Sequence, residues 1–267
     1  MQLRNQTGAK NVDGAEVIMS NPSVVSELST QVSPQSVRAF PKLGPIQALS
    51  GIVFAIFLIL HLVTAISGLF GIASYDGTLS LLRRLYRPHL LVELTVIGLS
   101  GTVHLACAVL QMIRRRKVFA LKGPWWMRAH RLSGYFLLVV ILGHVFATRI
   151  APTLATGPTA TGAADFGFLA FATLAAPAFF WPYYLLLGLS GALHLGLGLH
   201  LAARILGQRS ATAGSRSSSA PTLLRLCATF GFTILVLAGV LGILFRATDS
   251  PRQRFPEYRA LQQKLFS

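Results

Sequence analysis

Five stretches, roughly 48–71, 90–113, 132–151, 182–204 and 223–245, are apolar throughout and carry charged residues only near their ends. Each has about the twenty residues an α-helix needs to cross the hydrocarbon layer of a bilayer, where the backbone must satisfy its own hydrogen bonds. Composition agrees: 53% of residues are hydrophobic and only 12% are charged, and the mean hydropathy is +0.59. That is too little charge to coat a water-facing globule of 267 residues. The expected fold is all-α, a five-helix transmembrane bundle over 46–247 built from two tandem helical hairpins and a fifth helix.

The flanking segments read differently. Residues 1–45 are polar, carry Asp13, Glu16 and Glu27, and read as a disordered tail with no signal-peptide core and no acid-free targeting character. Residues 206–221 read as a flexible connection, and 248–267 as a basic tail with room for a short helix. A net charge of +16 raises nucleic acid as a partner. The basic residues sit beside span ends, as in the run Arg114, Arg115, Arg116 and Lys117, so membrane topology and lipid headgroups account for them and nucleic acid is not expected. The side that holds the N-terminus carries the modest Lys/Arg excess, which predicts a cytosolic N-terminus. Cys107 and Cys227 fall inside spans and read as small apolar residues packed between helices. The stretch 163–181 is apolar but short and contains Pro177; it reads as interfacial or re-entrant, and a sixth span there would reverse the helix that follows.

An internal repeat carries the most information. The first span begins LSGIVFAIFLILH and the third LSGYFLLVVILGH, so a histidine follows the glycine by ten residues in each, Gly51 to His61 and Gly134 to His144. The second contains GLSGTVHL and the fourth GLSGALHL, which place His104 and His194 alike, with Arg114 and Arg204 ten residues beyond. Two helical hairpins have been duplicated. Spans one and three run in one direction, and at 1.5 Å per residue His61 and His144 each lie about 18 Å from the start of their span, in the far half of the membrane. Spans two and four return, which brings His104 and His194 into the half nearer the N-terminal side.

Ionisable side chains inside a bilayer are expensive and usually have a partner or a task. Two roles stand side by side for these four: interhelical hydrogen-bond glue, or axial ligation of haem b by the pairs His61 with His144 and His104 with His194. Gly101, Gly191, Ala108 and Gly198, one turn from the imidazoles, would leave space for a flat macrocycle or equally for close helix contact. His200, His89 and His130 read as secondary, the last two as headgroup contacts at span ends. Glu93 reads as a partner for Arg83, Arg84 or Arg87, and Trp125, Trp126 and Trp181 as interfacial anchors. The sequence contains no Walker loop, zinc-ligand spacing or nucleophile elbow, and a non-enzymatic role is the leading expectation.

Over roughly 46–207 the chain resembles the transmembrane domain of the mitochondrial adapter (Mcp) family. The resemblance rests on the LSG-to-histidine run of span one, the lead from Tyr86 to Pro88 into span two, RLSGY...GHVFATRIAP in span three and GLSGALHLGLGLH in span four. It implies a multi-pass protein of the mitochondrial outer membrane that supports lipid homeostasis and organelle contact sites, with membrane lipids and a bridge-like lipid transfer protein as partners. Family adaptors recruit that partner through a Pro-x-Pro motif, a spacing that Pro22, Pro34, Pro41 and Pro45 never take. The four-histidine layout also resembles the dihaem cytochrome b subunit of fumarate reductase and succinate dehydrogenase. That likeness implies the same two ligand pairs and an alternative role, electron transfer to or from quinone.

Overall fold

The computed structural model describes residues 43–86, 90–114, 123–151, 154, 165–207, 219–248 and 255–266. The readings made for 1–42, for Arg87, Pro88 and His89, for Arg115, Arg116, Lys117 and Lys122, and for Arg252 and Arg254 lie outside them, as does most of the connection 206–221. Among the described residues the chain is helical and has no strand.

Five helices are long and apolar enough to cross a membrane, and the chain is a multi-pass membrane protein. The first, α1 (Leu43–Ser67), starts earlier than expected and takes in three residues assigned to the tail. It closes in a 3-10 turn, Gly68–Phe70. There Gly71, at φ 114°, supplies the left-handed backbone that turns the chain into α2 (Ile72–Tyr86). The second span, Glu93–Arg114, is π-helical over Glu93–Leu99 and α-helical over Ser100–Arg114, here α3. The third is α4 (Trp125–Val145), which continues as a π-helical segment, Phe146–Ile150. After α5 (Phe166–Ala175) come the fourth span, α6 (Pro177–Gly207), and the fifth, within α7 (Ser219–Ala247); α8 (Phe255–Phe266) follows.

Side-chain contacts fix the helix directions. Gln111 Nε2, near the end of α3, donates to Gln47 Oε1 at the start of α1 over 2.6 Å, so α1 and α3 are antiparallel. Trp126 at the start of α4 meets His200 near the end of α6, with ring centres 5.4 Å apart, and makes the second hairpin antiparallel too. The dense core lies between α1, α6 and α7 and contains Ala55, Leu62, Ala192, Leu195, Val236, Val240 and Leu244. In this core α7 lies so close to α1 that a Cβ on Gly239 would collide with the Ala65 carbonyl. Helix α3 packs on α1 and α4 on α6, but α3 and α4 share no extensive interface. Only 11% and 6% of their apolar stretches are buried, against 44% and 39% for α6 and α7. The bundle is open between α3 and α4.

The stretch 163–181 divides at Ala176. Helix α5 has ten residues, about 15 Å at 1.5 Å per residue, which is too short to cross a bilayer. It folds onto α7, α2 and α8, with Phe166, Ala170 and Thr173 buried. Its first turn is capped by carboxylates: Asp165 Oδ1 accepts from the Phe168 amide and Asp76 Oδ1 from the Phe166 amide, each at 3.0 Å. Tyr258 of α8 donates its hydroxyl to Asp165 Oδ1 over 2.7 Å. The break expected at Pro177 falls there, between α5 and α6, and the fourth span starts at Pro177 instead of near 182. Pro177 is the first residue of α6, where a missing N–H forfeits nothing, and Trp181 and Pro182 lie inside that helix. No sixth span intervenes among the described residues, so the fourth helix keeps its direction. Tyr258→Phe removes a hydrogen bond to a charged acceptor, and the α5 amides are expected to exchange about tenfold faster, about 1.4 kcal/mol, by hydrogen–deuterium exchange.

Candidate functional site: two imidazole pairs across the bundle

The repeated Ser-Gly dipeptide has a geometric role that its recurrence alone did not reveal. In α1, Ser50 Oγ bonds back to the Ile46 and Gln47 carbonyls at 2.8 and 3.1 Å. The same Gln47 carbonyl accepts from His104 Nδ1 of α3 at 3.0 Å. In the second copy Ser133 Oγ donates to the His130 carbonyl at 3.0 Å, and that carbonyl accepts from His194 Nδ1 of α6 at 3.2 Å. Gln47 and His130 each stand four residues before the repeated glycine. A Cβ on Gly51 would lie 2.7 Å from His104 Nδ1, and one on Gly134 3.0 Å from His194 Cε1. Each glycine is therefore the seat into which the next helix lowers its imidazole. A carbonyl can only accept, so both Nδ1 atoms carry their hydrogen, and in the neutral ring Nε2 is the nitrogen left to bind.

The two imidazoles so fixed are neighbours, with ring centres 6.2 Å apart and planes at 84°. The far-side pair is similar: His61 and His144 lie 6.0 Å apart with planes at 69°. Phe57 stacks on His61 at 5.7 Å and turns its edge to Tyr86. The Tyr183 hydroxyl lies 3.3 Å from His144 Nδ1. A hydroxyl gives or takes a proton, so this contact leaves the His144 tautomer open. Tyr183 holds the place in the second hairpin that Glu93 holds in the first, ninety residues earlier. Although all four rings sit inside the bundle, packing seals none of them: His61 is exposed and the other three are half-buried.

No protein-family model, curated protein or solved structure matches this chain. The chemistry of the site must therefore come from its own geometry. Two imidazoles on opposite sides of one metal ion, with bonds of about 2 Å and ring centres roughly 1 Å beyond the nitrogens, have centres about 6 Å apart. Both pairs lie at that separation, which is equally that of an edge-to-face ring contact. Each pair offers two imidazole rings, the complement of donors that a haem iron takes from its protein. The donor set fits haem b, and the opening between α3 and α4 leaves the rings reachable.

Several secondary expectations are corrected. Gly101 is covered by Phe54 and Gly198 by His130, each 3.2 Å from where a Cβ would stand, and Gly191 touches Leu62; these glycines seat side chains and do not form an empty slot. His130 is no headgroup contact, since its ring stacks on His194 at 4.3 Å. His200 is buried against Trp126, whose face also carries Arg204. Trp181 packs against the core. Cys107 is buried as expected, but Cys227 is exposed.

Among the described residues Glu93 takes Arg149 of the third span in a two-pronged ion pair, at 2.6 and 2.9 Å. The pair joins the two π-helical segments across the open flank, and such segments often mark functional positions in helices. The side chains are 17% and 35% exposed, so removal of one partner should carry less than the full penalty of a buried pair. Glu93→Gln is expected to destabilise the protein by about 1–2 kcal/mol in thermal unfolding in nanodiscs. Adding Arg149→Gln should restore part of that, because the charge that Glu93 faces is then removed as well.

Proposed function

We propose that this chain is a membrane haem protein of the b-cytochrome kind, in which His61 and His144 would hold one haem and His104 and His194 the other. The observation that carries this reading is the conjunction, at His104 and His194, of metal-spanning separation with two Nδ1 atoms tied to main-chain carbonyls. Such ties are what orient a metal-binding imidazole and raise the basicity of its free nitrogen. Bound haem would supply a reversible one-electron change at iron. The chain's own residues aim His104 and His194 through the Gln47 and His130 carbonyls, while Phe57 stacks on His61. Two sites at different depths along one bundle suit electron movement between the membrane faces, to or from a lipid-soluble carrier such as quinone. The test is a reduced-minus-oxidised spectrum of detergent-purified protein from haem-replete cells, in which a Soret band and split α-bands are expected. A colourless preparation ends this reading.

A second reading concerns where the protein works. The LSG-to-histidine runs that carry the resemblance to the mitochondrial adapter family are the residues that build the histidine seats, so both readings rest on the same architecture. From that resemblance we infer a protein of the mitochondrial outer membrane, N-terminus in the cytosol, in lipid homeostasis and contact-site organisation among membrane lipids. Recruitment of a bridge-like lipid transfer protein lacks its Pro-x-Pro signal. Fractionation of mitochondria with protease protection tests it, and residence in the inner membrane alone would exclude it.

A further inference from the structure

We propose that the two imidazole pairs are unequal and that His104 with His194 is the site that fills first. The inference rests on the haem reading above and deepens it. The duplication gave both hairpins one plan, but only the pair nearer the N-terminal side is held by it on both members. Gln47 and His130 occupy equivalent positions, and their carbonyls take the Nδ1 hydrogens of His104 and His194 at 3.0 and 3.2 Å. Gly51 and Gly134 leave those two rings their places, and the His130 ring braces one of them from the side. Tautomer and rotamer are thus set before any ligand arrives.

The far pair lacks this preparation. His144 has a hydroxyl at 3.3 Å that commits it to neither tautomer. Among the described residues His61 has no hydrogen-bonding partner and, apart from its pair mate His144, has the Phe57 face beside it, and it is the most exposed of the four. The position that would serve His61 as Tyr183 serves His144 is Glu93, which is engaged by Arg149. Orienting hydrogen bonds of this kind are worth about 10–100-fold in metal affinity, so the two sites should separate by that factor.

The test is a haem titration of full-length protein, purified haem-free in nanodiscs and followed by absorption. Wild type should bind in two phases separated by about 10–100-fold. His61→Ala with His144→Ala should keep the tight phase, and His104→Ala with His194→Ala should lose it. Gly51→Ala, whose new methyl pushes on His104 Nδ1, should weaken the tight phase about tenfold or more and leave the second unchanged. This outcome separates positioning from general damage, which would move both. Binding of a single equivalent that follows His104 and His194 also upholds the proposal. Two equal phases, or a tight phase that follows His61 and His144, overturn it while leaving the haem reading intact. Failure of wild type to take up haem at any concentration overturns the haem reading itself and this proposal with it.

Discussion

His104→Gln combined with His194→Gln is expected to leave the protein folded and to remove about half of its haem at saturation, and the fourfold variant that adds His61→Gln and His144→Gln should be colourless. Glutamine isolates the effect because its amide still donates to the Gln47 and His130 carbonyls. The interhelical hydrogen bond survives while the aromatic nitrogen ligand does not. If the imidazoles served only as glue, the fourfold variant would match wild type in both stability and function. If they are axial ligands, loss of either member leaves iron with one protein donor, and affinity should fall about a hundredfold or more, beyond the 10–100-fold typical of second-sphere changes. Pyridine haemochrome assay per mole of protein measures the first effect. Thermal unfolding without haem measures the second and should move by less than about 1 kcal/mol per site.

The contrast between what could be read in the chain and what could not follows from the range of the forces involved. Span positions follow from transfer of apolar side chains to lipid, a sum over local residues, and so hydropathy alone locates all five. The meeting of His61 with His144 and of His104 with His194 needed only the repeat and the rise per residue. The Ser-Gly seat was invisible because its partner is a main-chain carbonyl, and no side-chain pattern announces which carbonyl has a second lone pair to offer. Glu93 was assigned to nearby arginines because sequence proximity was the only guide. Its actual partner is 56 residues away and is decided by how α3 and α4 splay apart. Pro177 does mark a break, between α5 and α6, but it also opens the helix that follows, a position proline favours, so the fourth span reaches back to it.

The fifth helix contributes no histidine, yet one glycine in it should prove among the least replaceable residues of the chain. Gly239→Ala is expected to destabilise the protein by about 2–3 kcal/mol, because the added Cβ meets the Ala65 carbonyl and Ile66 Cα, main-chain atoms that cannot swing aside as a side-chain tip would. Gly231→Ala in the same helix is the control, since nothing lies within 4 Å of its new methyl, and helix propensity alone should make it stabilising by up to about 1 kcal/mol. Opposite signs from one chemical change on one helix would show that close approach, and not glycine content, holds α7 against the bundle. The consequence reaches the site. Helix α7 packs on both α1 and α6, and these carry His61 and His194. Pushing it away loosens the two helices that keep each pair in register, so Gly239→Ala should also lower haem retention under dilution, whereas Gly231→Ala should not. A stable Gly239→Ala protein with full haem content would mean that α1 and α6 hold their register without the fifth helix.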